Sequence, residues 1–277
     1  MQRPECLFVV VNYFSEEEVL KFFKEEILQQ QHSNWLLCMV NNGSKNEACI
    51  QTLSALGVHI IEPGNNAGYL GATGHALHFY QKEFTALPDL LVLSNSDMHY
   101  CQTDMLAQWK TRYAKANDIG MIGCRITSTL TGKPQNPMYR QRLSKAHLQR
   151  LAKVFSNKWS YVLYQTAALI KGKLMAGAGV SESANIEEVY AVHGSCLVMH
   201  RRLLEQSDLF KDAPFLFGEE VYLAEMCRRE HLKVLFDPAC EILHQEHQTT
   251  GIYKSAIQRK RLTDALLLIL KKFHSAL

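Results

Sequence analysis

The sequence predicts an α/β fold with a mixed, mainly parallel central sheet that is flanked by helices. Strand and helix signals alternate through the first hundred residues, which is typical of βα units with parallel strands. The strand signals are nearly continuous apolar runs, as expected for strands that are buried on both faces. Most of these runs end in small polar residues, and the clearest junction leads from residues 90–93 into Asn95, Ser96 and Asp97. Open α/β sheets bind ligands beyond the carboxyl ends of their strands, so this edge is the predicted ligand site.

Four strands are predicted in the first half of the chain, at residues 7–11, 35–40, 58–61 and 90–93. A helix is expected to follow each of the first three. The first helix has a capping signal, because Ser15 and Glu18 have the spacing of a capping box. The third begins in the glycine-spaced stretch after residue 66 and runs to about residue 83.

The second half is less regular. Strands are predicted at residues 119–124, 189–192, 195–199 and 233–236, the last ending at Asp237 and Pro238. Residues 215–229 are predicted to form a loop that enters a helix. No acid occurs between Asp118 and Glu182, a stretch with many Lys and Arg residues. From about Ser255 the pattern predicts a C-terminal helix with one apolar side.

Bulk properties exclude several functional classes. The chain has 277 residues, 47% of them hydrophobic and 21% charged, which is ordinary for a globular enzyme. A net charge of +3 gives no reason to expect a nucleic-acid partner. The eight cysteines form no CxxC pair, so reduced core thiols are expected rather than a zinc or redox site. With neither a signal-peptide pattern nor a long apolar stretch, we expect a cytoplasmic location.

The cluster of Asn95, Ser96 and Asp97 has two interpretations. Oxygen-bearing side chains at a strand end suit a hard divalent cation on a diphosphate. The alternative is a turn in which Asp97 caps the next segment, which the spacing alone slightly favours.

Three further groups are candidates for chemistry, each with a structural alternative. Glycines including Gly68 and Gly71 open a helix and can admit an anion or allow tight packing. The adjacent carboxylates of Glu219 and Glu220 suit a general base or a simple acidic helix start. His244 is a candidate metal or phosphate ligand, although any one of twelve histidines is more often a packing or surface residue.

Taken in order, these segments resemble the inverting family 2 glycosyltransferases, which have the GT-A (Rossmann-like) fold, and in particular their rhamnosyltransferase-like branch. The similarity lies in the order and spacing of short motifs at residues 12–13, 40–44, 66–74, 95–97, 194–196, 217–220, 237–239 and 244. The resemblance implies a GT-A domain over residues 1–251, with a nucleotide-binding part at about 1–100, an acceptor part at about 101–251, and a C-terminal amphipathic helix at 252–277.

The resemblance also implies roles for individual residues. Glu220, or its neighbour Glu219, would act as the catalytic base. Asp97 and His244 would hold Mg²⁺ or Mn²⁺ on the diphosphate. The nucleotide sugar would be bound by Asn12, Tyr13, Asn41, Asn66, Gly68, Gly71, Asn95 and Ser96.

The implied partners are a nucleotide-sugar donor and a glycan or lipid-linked saccharide acceptor in cell-surface polysaccharide assembly. The basic stretch and the terminal helix suggest an anionic membrane surface as a further partner, with peripheral binding at its inner face. The alternative is a solvated basic surface together with a helix that closes the core or a homodimer, and for the helix this alternative is slightly favoured. Four residues depart from the family pattern: Asn41, Glu220, Tyr222 and Met226. They keep an alternative open, namely a catalytically weakened sugar-nucleotide-binding or assembly module.

Overall fold

The computed structural model describes residues 3–31, 34–174, 185–246 and 255–275. Within these residues nine strands form one sheet. The strands are β1 (Cys6–Asn12), β2 (Trp35–Asn41), β3 (His59–Ile61), β4 (Leu90–Ser94), β5 (Met98–Tyr100), β6 (Ile119–Ser128), β7 (Glu187–Val189), β8 (Cys196–His200) and β9 (Lys233–His244). The helices are α1 (Glu16–Phe22), continued by a π-helical segment (Phe23–Ile27), α2 (Glu47–Ala55), α3 (Tyr69–Phe84), α4 (Met105–Tyr113), α5 (Lys145–Ser156), α6 (Lys158–Leu174), α7 (Arg201–Leu204), α8 (Glu219–Arg229) and α9 (Ala256–Phe273).

The sheet is mixed, with the strand order β3-β2-β1-β4-β8-β6-β9-β5 and with β7 paired to β9. The first four strands pair in parallel, so their carboxyl ends lie at one edge as predicted. β8 then runs antiparallel to both β4 and β6. This arrangement of strands and flanking helices confirms the predicted fold class.

The central strands are buried on both faces. In β1, Leu7 and Val9 face one apolar core and Phe8 and Val10 face the other. The first core is completed mainly by α3, α5, α8 and α9, and the second by α1, α2 and α4. This double burial explains why the strand sequences are continuous apolar runs. The eight cysteines form no disulfide and seven of them are buried, in agreement with the prediction of core thiols.

The capping box predicted for Ser15 and Glu18 is wrong. Ser15 precedes α1, but its side chain makes no capping bond. Its N–H and hydroxyl both donate to Asn12 Oδ1, at 3.1 and 3.2 Å. Glu18 instead accepts a 2.7 Å hydrogen bond from the Ser96 hydroxyl. Tertiary partners have therefore replaced the local ones that the spacing suggested.

The predicted end of the last strand at Pro238 is also wrong, since β9 continues to His244. Its register with β6 shifts between Asp237 and Glu241, so the strand is irregular where proline cannot donate a hydrogen bond. Asp237 is fully buried within this irregularity. Its carboxylate accepts hydrogen bonds from Arg112 and from the Tyr113 hydroxyl, at 2.8 and 2.6 Å. The continuation carries His244 to the edge of the sheet at which the first four strands end.

The predicted strand at 189–192 lies instead at Glu187–Val189. Beyond it, Ala191 makes only an isolated bridge to Tyr139.

The C-terminal helix α9 packs into the first apolar core through Leu266 and Ile269. It begins with the capping box that Ser255 forms with Gln258. No helix in the described part of the chain has both the length and the apolar composition that a membrane crossing requires.

Candidate functional site

A cleft of about 640 Å³ opens at the carboxyl edge of the sheet. It brings together five of the residues that the sequence suggested for the site. These are Asn95, Asp97, Glu219, Glu220 and His244. The rest of the lining includes an apolar wall from α5 and α9. That wall contains Leu151, Phe155, Leu262 and Leu266.

Asp97 and His244 meet through a chain of hydrogen bonds that fixes the imidazole ring. Glu246 Oε1 accepts from Gln135 Nε2 at 2.8 Å, so the Gln135 oxygen faces His244 Nδ1, also at 2.8 Å. That oxygen can only accept, so Nδ1 carries the proton of the neutral ring. The unprotonated Nε2 then faces Asp97 Oδ2 at 3.1 Å. Two acceptor atoms at this distance require a proton or a cation between them.

A divalent cation fits this donor set. A carboxylate oxygen and an imidazole nitrogen are both ligands that Mn²⁺ accepts, and Mg²⁺ prefers the oxygen. Among residues 3–31, 34–174, 185–246 and 255–275, no group of three or more His, Cys, Asp or Glu side chains surrounds one metal position. Asp97 and His244 are thus the two side chains that could hold such a cation.

The acidic pair at the start of α8 is positioned by an unusual backbone. Phe217 and Gly218 both have positive φ angles, 68° and 79°, immediately before Glu219. A Cβ atom on Gly194 would lie 2.8 Å from Glu220 Oε1 and 3.1 Å from Glu219 Oε1. Glycine at position 194 therefore lets both carboxylates pack against the segment that leads into β8. The Gly194 N–H donates to Glu220 Oε1 at 3.3 Å.

Two neutral side chains border the acidic pair. Burial, followed by the charge of Glu219, holds the pKa of Tyr69 well above its ordinary value. The Tyr69 hydroxyl therefore stays protonated and donates to the Gly194 carbonyl at 3.2 Å. Burial also lowers the pKa of His193 to about 4, so this imidazole is uncharged near pH 7. The acidic pair therefore has two uncharged side chains as neighbours.

A buried ion pair braces α8 behind the acidic pair. The Glu225 side chain is only 1% exposed and accepts hydrogen bonds from Arg142 at 2.7 and 2.9 Å. Tyr190 donates to the same carboxylate at 2.8 Å. Burial raises the pKa of Glu225, but the hydrogen bonds from Arg142 and Tyr190 outweigh it and hold the pKa below the ordinary 4.5. Glu225 is therefore ionised and ties the segment around residue 142 to α8.

Asn12 and Asn41 lie apart from the cleft lining, at the ends of β1 and β2. Asn12 Nδ2 donates to Asn41 Oδ1 and to the Gly43 carbonyl, both at 2.9 Å, while its oxygen accepts twice from Ser15. Asn41 Nδ2 donates to Ser44 and Glu62, and its oxygen also accepts from the Gly43 N–H. Each amide thus makes two donor and two acceptor bonds within the protein. These two residues order the edge of the sheet. Because their amides are fully hydrogen-bonded within the protein, any contact with a ligand at this edge would be made by neighbouring residues.

The remaining predicted residues lie outside the cleft lining. Asn66 Oδ1 accepts from the Gly68 N–H at 2.9 Å, in a turn before α3. Gly68 has a φ of 77°, and a Cβ there would lie 2.2 Å from the Phe215 carbonyl oxygen, so glycine is required. A Cβ on Gly71 would meet Ala67 at an ordinary 3.5 Å. Ser96 bonds to Glu18 of α1.

Sequence reasoning missed Gln135, His193 and Glu246 as parts of the site. Each is a single polar residue without a motif, and Gln135 and Glu246 bond to partners far away in the chain. Tyr69 lay within the glycine-spaced stretch but was not singled out. The apolar wall from α5 and α9 was also missed, because helix periodicity shows a buried side without showing what that side faces.

Comparison with known proteins now identifies the family. The profile of the family described as "Glycosyltransferase like family 2" matches residues 4–264. The chain belongs to this glycosyltransferase family. The predicted membership of glycosyltransferase family 2 is therefore confirmed.

Relatives of this glycosyltransferase are distant. The low-salt glycan biosynthesis hexosyltransferase Agl10 of Haloferax volcanii is 21% identical over 250 residues, which are 90% of this chain and 70% of that protein. The mannosyltransferase PcManGT from Pyrobaculum calidifontis, solved with GDP-Man and Mn²⁺, has a TM-score of 0.58 at 14% identity. The alignment covers 100% of this chain and 66% of that one. GalNAc-T7, solved with UDP, GalNAc and Mn²⁺, has a TM-score of 0.59 at 11% identity. The alignment covers 99% of this chain and 49% of that one. These likenesses establish the GT-A fold of the glycosyltransferase.

Proposed function

We propose that the protein is an inverting glycosyltransferase that moves a hexosyl or deoxyhexosyl group from a nucleotide-sugar donor to a hydroxyl group of a glycan or lipid-linked saccharide. The observation that carries this proposal is the placement of Glu220 and the pair Asp97–His244 in one cleft. A general base and a metal-binding pair are the two devices that the reaction needs on opposite sides of the anomeric carbon.

The donor is proposed to bind with its diphosphate at Asp97 and His244. Solved structures of this fold that hold GDP-Man with Mn²⁺, and UDP and GalNAc with Mn²⁺, support a nucleotide donor bound together with a divalent metal. A bound Mg²⁺ or Mn²⁺ would supply positive charge to the diphosphate oxygens as the bond to the sugar breaks. Asn95 lines the same cleft. The donor part of the chain is proposed to be residues 1–100, where Asn12 and Asn41 shape the edge.

Glu220 is proposed as the base. Its carboxylate takes the proton of the acceptor hydroxyl while that oxygen attacks the anomeric carbon. The bond between the anomeric carbon and the diphosphate breaks, and its electron pair leaves with the nucleoside diphosphate. The configuration at the anomeric carbon is thereby inverted. The Gly194 N–H at 3.3 Å orients Glu220 for this step, and the ion pair at Glu225 holds α8 in place.

Two of the four departures from the family pattern, Tyr222 and Met226, lie away from the cleft. The Tyr222 hydroxyl accepts from Lys272 Nζ at 2.9 Å and donates to the Leu209 carbonyl at 3.1 Å, so it serves the packing of α8 on α9. Met226 is fully buried in the same core. Neither lines the cleft. Both substitutions therefore leave the proposed chemistry untouched.

We assign the acceptor to residues 101–251 and to the apolar wall, which suits the lipid part of a lipid-linked saccharide in cell-surface polysaccharide assembly. The enzyme is then cytoplasmic and peripheral at the inner face of the membrane. Trp159, 75% exposed on the acid-free helix α6, supports this placement. Flotation with anionic and neutral liposomes tests it: equal recovery at low salt with both lipids refutes it. The homodimer stays a hypothesis, which size-exclusion chromatography with light scattering tests by measuring the molar mass in solution.

The deciding experiment for the activity is Glu220→Gln. We expect the variant to bind donor normally and to lose transfer by roughly 10²- to 10⁴-fold. Glu219→Gln is the matched neighbour. A larger loss in that variant would move the base to Glu219. Donor hydrolysis by the wild-type protein should be measured alongside. A protein that binds the donor without ever releasing the nucleotide would be the inactive module instead.

A further inference from the structure

The edge formed by β1, β2 and β3 carries outward groups that the proposed mechanism does not use. Asn12 and Asn41 are buried and saturated there, as described above. The exposed aromatic pair Tyr13 and Phe14 directly follows β1, and Glu62 is a further exposed group of this edge. Glu62 directly follows β3 and accepts a 2.8 Å hydrogen bond from Asn41 Nδ2.

The aromatic pair is exposed yet ordered. Tyr13 is 57% and Phe14 47% exposed, and their ring centroids lie 4.7 Å apart. Phe14 has a φ of 56° and donates its N–H to the Gly43 carbonyl at 2.8 Å. A Cβ on Gly43 would lie 3.0 Å from the Phe14 ring, so the ring rests on this glycine. The two rings meet edge to face at 62°, and Lys45 Nζ lies 5.0 Å from the centroid of the Phe14 ring. The exposed Tyr13 ring is therefore the stacking surface that this edge of the sheet offers to a flat heterocycle.

Stacking alone does not choose between bases, because every base has a π-face. Glu62 can discriminate between bases through hydrogen bonds to the base edge. Its carboxylate is held in place by Asn41 and, when ionised, only accepts hydrogen bonds. It therefore favours a base edge that presents N–H donors and disfavours one that presents a ring nitrogen lone pair.

We infer that Glu62 determines which nucleobase the donor carries, and that it selects bases with a ring N–H. This inference rests on the proposed function. Guanine fits best, because its N1–H and amino group offer two adjacent donors to one carboxylate. Uracil and thymine offer one N–H between two carbonyl oxygens and rank second. Cytosine and adenine offer the carboxylate only their amino group, beside an unprotonated ring nitrogen whose lone pair repels it, so they rank last.

Binding of GDP, UDP, dTDP, CDP and ADP, each with Mn²⁺, tests the inference by isothermal titration calorimetry. Wild-type protein should bind GDP most tightly and CDP and ADP most weakly. Glu62→Gln keeps an oxygen for Asn41 but adds an N–H donor, which suits a ring acceptor. We expect the ratio of GDP to CDP affinity to fall roughly 10- to 100-fold in this variant.

Glu47→Gln makes the same change at an exposed acid on α2 and should leave the ratio unchanged. Tyr13→Ala should weaken all five nucleotides by similar factors, because it removes stacking without removing the choice. Melting temperatures equal to wild type show that each variant is folded.

Two failures are distinguishable. If the wild-type protein binds none of the five nucleotides, the proposed function falls together with the inference. If it binds them and Glu62→Gln keeps the wild-type ratio, or if CDP or ADP binds best to the wild type, the inference is overturned while the proposed function stands.

Discussion

Replacing Gln135 with Leu tests whether the tautomer of His244 is set from outside the metal-binding pair. In the wild type the Gln135 oxygen accepts from Nδ1–H at 2.8 Å, which leaves Nε2 free for a cation. In the variant the ring proton can move to Nε2, only 3.1 Å from Asp97 Oδ2. The loss of the bond to Gln135 and the new bond from Nε2–H to Asp97 each weaken the free energy of Mn²⁺ binding by about 1 kcal/mol. We therefore expect Mn²⁺ to bind about 2 kcal/mol more weakly, or roughly 30-fold.

The measurement is a calorimetric titration of Mn²⁺ into protein saturated with GDP. Gln29→Leu is the matched control, since Gln29 is exposed and bonds only locally to the Lys24 carbonyl. An unchanged Mn²⁺ affinity in Gln135→Leu, combined with a large loss in His244→Ala, would refute the tautomer argument. An unchanged affinity in both variants would remove His244 from the metal site.

Three other variants probe the scaffold around the cleft, each by thermal or denaturant unfolding. Arg142→Met leaves Glu225 buried without its main partner and should cost about 2–3 kcal/mol, less than a fully buried pair because Arg142 is 37% exposed. The pKa of Glu225 in the folded protein is below the ordinary 4.5, so this stabilisation is present above pH 4.5 and is lost as the pH falls through the folded pKa. A constant difference in the free energy of unfolding between wild type and Arg142→Met from pH 7 to pH 3 would contradict the assignment. Gly68→Ala should cost more than about 2 kcal/mol, because φ is 77° and the new Cβ would lie 2.2 Å from the Phe215 carbonyl oxygen; near wild-type stability would contradict this. Ile269→Ala, at a fully buried position of α9, should cost about 2–5 kcal/mol, whereas a negligible cost would show that the helix is not part of the core.

The parallel half of the sheet was readable from the sequence because burial on both faces leaves an unbroken apolar run. The runs at residues 7–11, 35–40 and 90–93 fall within β1, β2 and β4. The order of short motifs also indicated the family. The structure places Asp97, Glu220 and His244 in one cleft, while their catalytic roles stay predictions.

The rest depended on contacts that no local pattern encodes. Gln135 meets His244 across 109 residues, and each looks like an ordinary loop or strand residue on its own. Ser15 and Glu18 had a good local pattern, yet both bond elsewhere. Pro238 suggested a strand end, but an irregular register allows β9 to pass it. Tertiary partners decided all three cases.

The strand order has a consequence for how the protein is made. β9, which is synthesised last among the described strands, lies between β6 and β5, and Asp97 meets His244 across 147 residues. Contacts so distant in the chain form slowly, because the entropy of closing the loop is lost before the contact forms. During synthesis the first four strands can pair early, whereas β6 keeps an unpaired edge until residue 233 and beyond have emerged. The cleft is thus the last part of the molecule to be completed, and a nascent chain carries an exposed strand edge that invites aggregation until then.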